Sequence, residues 1–319
     1  MRTRNGFLLA VTITSVTFLL LGIGTLSAKP DKPDPHRPIP ASDVVLVQKM
    51  SAQGKRPANA GGGTSKRFSA TGVLGTECHG NRYAIVIGIS DYPGLWNDLD
   101  FADDDAALMT EILRESYGFG YDRIITLVNA DATRPSILDA IETVRGLTGP
   151  ADEVVFFYSG HGANGAAEDG DKEKTDEAIV VNPPRGVMAP YELLWDGELA
   201  SAFSDFDTSR IIFIFDSCMA GGMDDLEGPG RVILMASPER GYAWEGEEWA
   251  YGDNDGNGEF TYYLARGILD GEARIYNYYG TSLSWIEPVT VEAAFDYARA
   301  NCDQDNPVIV DDFPYDLLP

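Results

Sequence analysis

Two residues with the right chemistry for acyl transfer leave the ends of two apolar runs. Glu153 to Tyr158 (EVVFFY) leads into Ser159-Gly160-His161-Gly162, and Arg210 to Phe215 (RIIFIF) leads into Asp216-Ser217-Cys218. Fifty-seven positions separate His161 from Cys218, enough for a strand, a helix and their loops. A thiolate is a nucleophile, and an imidazole beside it holds it deprotonated or moves protons for it. Gly160 and Gly162 allow tight turns and leave room for a substrate backbone. The amides of Gly162 and Cys218 are the expected donors to a developing oxyanion. Taken singly, a cysteine after a buried strand reads as a small apolar residue, and a histidine between glycines as a turn residue. Their shared position at two strand ends is what makes the pair informative.

Those runs belong to a regular alternation. Tyr83–Ile89, Ile124–Val128, Glu153–Tyr158, Arg210–Phe215, Arg231–Ala236 and a short Val308–Val310 read as strands, mostly as continuous apolar runs buried on both faces. Ala102–Tyr117, Ser136–Leu147, Phe260–Ile268 and Val291–Ala300 carry helical spacing. Strands alternating with helices of about ten or more residues predict an α/β sandwich with a central, mainly parallel sheet of six strands flanked by helices. In such sheets ligands bind outside the carboxyl ends of the strands, where His161 and Cys218 lie.

The chain before this pattern differs in composition. Arg2 and Arg4 flank an apolar stretch, Phe7–Leu26, followed by Ser27 and Ala28. Residues 1–28 are therefore expected to be a signal peptide or, uncleaved, an N-terminal anchor, with the body secreted or exposed at the cell envelope. Residues 29–79 hold five prolines between 30 and 40 and a Gly61-Gly62-Gly63 run, which predicts a flexible linker or pro-segment. Within it Val44–Val47 is a lesser candidate for an added strand. The compact domain is expected over 80–319.

Charge follows the same division. The 319 residues carry a formal charge of −26. Residues 1–81 contribute +6 and residues 82–319 contribute −32, with only Lys172 and Lys174 of seven lysines in the second part. Such a body is a poor partner for nucleic acid, whose phosphates need clustered Lys and Arg. It meets a membrane only through an uncleaved N-terminal segment. Three cysteines, Cys78, Cys218 and Cys302, are too few for a disulfide framework, and none has CxxC spacing. At least one thiol stays unpaired within the chain, and Cys218 is the one expected to be free. Whether Cys78 and Cys302 pair depends on a separation the sequence does not give.

The segments Phe156–Gly162 (FFYSGHG) and Phe215–Cys218 (FDSC) resemble those of the caspase-like cysteine peptidases, the group containing caspases, metacaspases, legumains and gingipains. The resemblance extends to Arg82–Ile89, Asp105-Ala106, Gly258–Leu264 and Asn306–Ile309, about residues 80–312. It implies a three-layer caspase-like sandwich, a His161–Cys218 dyad, Gly162 and Cys218 as oxyanion donors, and no cofactor for the chemistry. A QAC-type signature is absent; the DSC triplet is the metacaspase pattern. In metacaspases the Asp of that triplet and an Asp at the start of the first helix form an acidic pocket. The matching residues are Asp216 and Asp105, with Ser159 nearby, although Asp104 is an alternative by register, and first-turn acids also favour the helix dipole. Paired carboxylates hold an Arg bidentately or a Lys as a point charge and repel an Asp, so peptide or protein substrates with a basic P1 residue are expected.

Some metacaspases use calcium near these loops. Asp176, Asp224 and Asp225 are the residues expected to serve here, beside the acids at 168–171; the alternative is a solvated acidic surface. Asp253–Gly258 starts like an EF-hand, but position twelve is Leu264, so a loop entering the next helix is favoured. Trp244 and Trp249 are candidates either to wall a subsite or to cap the core. Lys55-Arg56, Lys66-Arg67, Lys172 and Lys174 are basic sites in expected exposed chain, and self-cleavage is expected most after Arg67. Two other classes remain: a catalytically silent binding or scaffold protein of the same fold, and a serine hydrolase. The latter lacks a GxSxG elbow.

Overall fold

The computed structural model describes residues 37–52, 69–94, 97–168, 174–274 and 289–319. Residues 1–28, expected to direct export, and the basic sites at 55–56, 66–67 and 172 lie outside the described residues. In chain order, β1 (Ala41–Val47) and β2 (Met50–Ser51) come first. Then follow β3 (Arg82–Gly88), α1 (Ala102–Glu115), β4 (Ile124–Val128), α2 (Arg134–Leu147) and β5 (Glu153–Ser159). The middle of the chain forms β6 (Gly162–Ala167), β7 (Asp176–Val181), β8 (Glu192–Trp195), α3 (Asp196–Phe203), β9 (Ile211–Asp216) and β10 (Arg231–Met235). Last come β11 (Trp244–Gly246), β12 (Asn257–Gly258), α4 (Glu259–Ile268), α5 (Val291–Asn301) and β13 (Val308–Asp311).

The main sheet runs β13-β10-β9-β5-β3-β4, parallel except for β13, which returns antiparallel to β10. Its central strands bury both faces. Ile85, Ile87, Phe156, Tyr158, Phe213 and Phe215 point to the side packed by Ile137, Ile141, Leu199 and Phe203 of α2 and α3. Ala84, Val86, Val155, Phe157, Ile212 and Ile214 point to the side packed by Ile112, Phe260 and Phe295 of α1, α4 and α5. Two separate cores on one sheet make the three layers, and the period of two within continuous apolar runs is why. α2 starts with Thr133 capping Ser136 and a proline in its first turn, and α5 with Thr290 capping Ala293.

Two features depart from the expected organisation. Ala41–Val47 is a paired strand rather than flexible linker: β1 lies antiparallel on β6 in a second sheet, β1-β6-β7-β8. The next residues, β2, join β11 and β12 in a third, small sheet. An unpaired edge with free amides accepts an added strand whatever that strand's own propensity, which local periodicity does not reveal. The body also begins before residue 80, because Asp296 accepts the Ser69 and Ala70 amides and Asp316 those of Thr71 and Gly72. Asp176 and Glu177 are likewise buried in β7 rather than exposed in a loop. Among the described residues no helix is long and apolar enough to cross a membrane.

Candidate active site

At the carboxyl edge of the main sheet, Ser159 at the end of β5 stands beside Gly88 of β3 on one flank and Asp216 of β9 on the other. The turn after β5 carries His161, and backbone and ring contacts hold it. Tyr92 Oη accepts the His161 amide at 3.1 Å, and Tyr158 Oη donates to its carbonyl at 2.7 Å. The Tyr92 ring stacks on the imidazole at 4.9 Å. A Cβ at Gly160 would reach 2.7 Å from the Tyr92 hydroxyl, and one at Gly162 would collide with the Cys218 carbonyl. That close approach joins the two loops at the positions expected to furnish the oxyanion donors. After Cys218 the chain turns sharply through Met219, whose φ of 59° is unusual for a side-chain-bearing residue, into a 3-10 turn over Ala220–Leu226.

The dyad is covered by the chain's own N-terminal segment. Cys218 Sγ lies 3.2 Å from the Gln48 carbonyl oxygen, and the next amide, Lys49 N–H, donates to His161 Nδ1 at 3.0 Å. His161 Nε2 donates to the Asn97 carbonyl at 2.7 Å. These two bonds assign the neutral tautomer with its proton on Nε2. Burial pushes the His161 imidazole down to about 4, outweighing the Asn97 bond that favours its charged form. Burial also pushes the Cys218 thiol up to about 12, against the Ala243 amide that donates to Sγ at 3.2 Å. Both groups are 1% exposed. With the segment seated, the dyad is a neutral thiol and a neutral imidazole, each shifted away from an ion pair by desolvation.

Beside the dyad is a closed acidic pocket, and Lys49 fills it. Lys49 Nζ lies 2.8 Å from Asp216 Oδ1, 3.1 Å from Ser159 Oγ and 3.3 Å from Asp105 Oδ2. Burial alone would lower this ammonium, but Asp216, Asp105 and Glu245 reverse the effect and hold it above its ordinary value. Asp105 is pushed up to about 6, chiefly by burial, with Lys49 pulling the other way. The second layer is polar and directed. Asp105 Oδ2 accepts the Ser159 hydroxyl at 2.7 Å; its Oδ1 accepts the Gly258 amide at 2.9 Å and Asn257 Nδ2 at 3.0 Å. Asp216 Oδ2 accepts the Thr261 hydroxyl at 2.6 Å and the Thr261 amide at 3.1 Å, so the first turn of α4 anchors one pocket acid. Gly258 forms the wall: a Cβ there would collide with Asp216 Oδ2 and lie 2.6 Å from Lys49 Nζ.

The residues expected from sequence therefore come together as two adjoining groups: His161, Gly162 and Cys218 at the dyad, and Asp105, Ser159 and Asp216 in the pocket. The register places Asp105, not Asp104, in the pocket; Asp104 uses its carbonyl to accept Asn254 Nδ2 on the way out. The Asp253–Gly258 loop builds this pocket through Asn257 and Gly258 and enters α4. Sequence reasoning missed Lys49, Glu245, Asn257, Gly258 and the tyrosine pair. Glu245 is buried, pushed up to about 7 by that burial, and accepts the Asp100 amide at 2.9 Å. The one signal for Lys49 was the Val44–Val47 run just before it. Trp244 lies in β11 opposite Met50, and Trp249 is buried.

The calcium set is not assembled in the same way. Asp176 is buried with Oδ2 accepting the Ala167 amide at 2.7 Å, Asp224 is exposed and Asp225 half-buried. Among the described residues the one group within reach of a single ion is Glu259, Cys302 and Asp305. Its carboxylates already accept amides: Glu259 from Asp303, Gln304 and Asp305, and Asp305 from Trp244 and Phe260. Among the described residues neither set gathers the six to eight oxygens that calcium takes, and the acids at 169–171 lie outside the described residues. Cys78, Cys218 and Cys302 are not joined by disulfides.

Residues 81–278, more than half of the chain, match the family model described as Caspase domain. The chain belongs to the caspase-domain family. This caspase-domain protein is 29% identical over 175 residues to Metacaspase-1 of Schizosaccharomyces pombe, covering 52% of this chain and 39% of that protein. It is 31% identical over 150 residues to Metacaspase-4 of Arabidopsis thaliana, covering 44% and 34%. The alignments thus span well under two thirds of those relatives' length. Among solved structures, one from Geobacter sulfurreducens superposes with a TM-score of 0.52 at 18% identity, covering 72% of this chain and 93% of that one. That likeness concerns the fold alone.

Proposed function

We propose that this caspase-domain protein is a cysteine endopeptidase that cuts peptide bonds after Arg or Lys. The observation that carries the reading is Lys49: a basic side chain fills the Asp105–Ser159–Asp216 pocket while the peptide bond next to it lies across Cys218 and His161. A substrate Lys would make the same contacts, and an Arg guanidinium would offer a planar fork to the two carboxylates. An Asp side chain would bring a third negative charge into a closed, water-poor pocket, where repulsion is strong.

In the reaction, Cys218 as thiolate attacks the scissile carbonyl carbon. The oxygen takes up negative charge toward the Gly162 and Cys218 amides. His161 accepts the thiol proton and passes it to the departing amine, leaving a thioester that water hydrolyses with His161 as base. Departure of the N-terminal segment rehydrates the dyad and lifts the desolvation that now keeps both groups neutral. The Arg2–Ala28 stretch supports export of the enzyme, and Arg67 is the proposed self-processing position.

The test is hydrolysis of fluorogenic peptides with Arg, Lys, Asp or Asn at P1, with and without calcium, by the full chain and by Cys218→Ala. Turnover of the Arg and Lys peptides alone, abolished in Cys218→Ala and largely kept in Cys302→Ala, is the expected result. Equal turnover in Cys218→Ala would overturn the reading, as would a preference for Asp. No turnover of any peptide by chains whose N-terminal segment has been displaced would favour a silent binding protein.

A further inference from the structure

We infer that residues 41–52 are an inhibitory strap, bound across the cleft in the sense opposite to a substrate and therefore resistant to cutting where it is held. This rests on the reading of Cys218 and the acidic pocket given above.

The polarity follows from which peptide atoms meet which catalytic atoms. A substrate with a basic side chain in the pocket must present that same residue's carbonyl carbon to Cys218, because the bond cut lies on its carboxyl side. Lys49 instead presents its amide nitrogen, which donates to His161 Nδ1 at 3.0 Å. The carbonyl at the thiol belongs to the preceding residue, Gln48, and it is the oxygen that approaches Sγ, at 3.2 Å. The pocket residue thus lies on the amine side of the bond at the dyad. The Lys49–Met50 bond, which the pocket would select in a substrate, leads away from it.

The flanking strands agree. Beyond Lys49 the strap runs parallel to β11, with the Met50 amide donating to the Ala243 carbonyl at 2.8 Å and the Ala52 amide to the Glu245 carbonyl at 2.9 Å. A substrate with its carbonyl where the Lys49 nitrogen now lies must run the other way. Its residues before P1 would replace Met50–Ala52 and meet β11 antiparallel. Before Lys49, β1 pairs with β6 from Ala41 opposite Ala167 to Val47 opposite Gly162, which fixes the strap on the far side of the dyad. Ladders on both sides and a buried ion cluster between them hold the reversed peptide. The Lys49 amide also occupies Nδ1, the one imidazole nitrogen with a lone pair, so the base is blocked as well as the pocket.

The experiment uses the full chain with Lys49→Ala, Lys49→Arg and Met50→Pro. Lys49→Ala empties the pocket. Met50→Pro leaves the pocket side chains intact, removes the donor to Ala243, and makes the Lys49–Met50 bond a poor one to cut. Lys49→Arg keeps the charge. Turnover of an Arg-P1 peptide, alkylation of Cys218 by iodoacetamide, and mass mapping of the chain's own N-terminus are measured together, with thermal melts to confirm folding. Lys49→Ala and Met50→Pro are expected to raise both turnover and alkylation about tenfold or more by raising the fraction of open sites. Lys49→Arg should stay near the unaltered chain, and no fragment should begin at Lys49 or Met50.

A fragment beginning at Met50 that accumulates as activity rises would overturn the reversed polarity, since it means Lys49 binds as a substrate. Unchanged alkylation in folded Lys49→Ala and Met50→Pro chains would overturn the inhibitory role. Faster alkylation with no turnover of any peptide would uphold the strap and refute the peptidase reading instead.

Discussion

The main sheet has a buried ion cluster at each end, and the two are built differently. At the amino ends of the strands, Glu153 of β5 pairs with Arg210 and lies 3.9 Å from Arg82 Nε. Arg210 also donates to the Thr76 and Leu318 carbonyls, both at 2.6 Å. At the carboxyl ends, Asp105, Ser159 and Asp216 surround Lys49. Both clusters satisfy buried charge by pairing and hydrogen bonds, and β5 contributes to each, through Glu153 at its start and Ser159 at its end. The difference lies in where the cation comes from. Arg210 directly precedes β9 and has no route out short of unfolding. Lys49 belongs to a separate segment that is laid over the cleft. The first cluster ties the chain at Thr76 and Leu318 to the sheet, whereas the second, on the function proposed above, is acid prepared for a cation that can be exchanged.

The largest effect that could break this contrast is on stability. Glu153→Leu leaves Arg210 buried without its carboxylate and should cost about 3–5 kcal/mol, read as a fall in unfolding midpoint. Turnover per folded molecule should change little. A large loss of turnover with an unchanged midpoint would mean that the two ends are not functionally separate.

A second substitution sharpens the comparison from the pocket side. Gly258→Ala places a methyl group against Asp216 and the position of Nζ, and overpacking of about 1–3 kcal/mol corresponds to roughly 5- to 150-fold in kcat/KM for basic substrates. The melt should shift less than in Glu153→Leu. A variant that retains full activity on Lys and Arg substrates would show that the basic side chain binds elsewhere.

The permanent parts of this architecture were the legible ones. Continuous apolar runs specify strands buried on both faces, so the six-stranded sheet follows from residues such as Phe156, Phe157, Ile212 and Phe213 without further information. Residues fixed to the ends of those strands, His161, Asp216 and Cys218, follow directly. The remainder depends on partners distant in the chain. Asn257 and Gly258 look like turn residues, and only the approach of Asp105 gives them a role. Glu245 resembles surface acid until Asp100 and Phe101 cover it. β6, with sequence GANGAA, has little strand propensity and exists through its neighbours β1 and β7. Lys49 was hardest to see, because a strand added to an existing edge derives its order from that edge.

The central claim is that the two carboxylates at the sheet's carboxyl end recognise a positive charge next to the scissile bond. Its most direct measurement compares kcat/KM for peptides with Arg or citrulline at P1, nearly isosteric but differing in charge, in the full chain and in Asp216→Asn. The account predicts a preference for Arg of roughly 10- to 100-fold, the worth of hydrogen bonds to a charged group, and its collapse in Asp216→Asn. Equal rates on the two peptides, or a preference that survives Asp216→Asn undiminished, would contradict it.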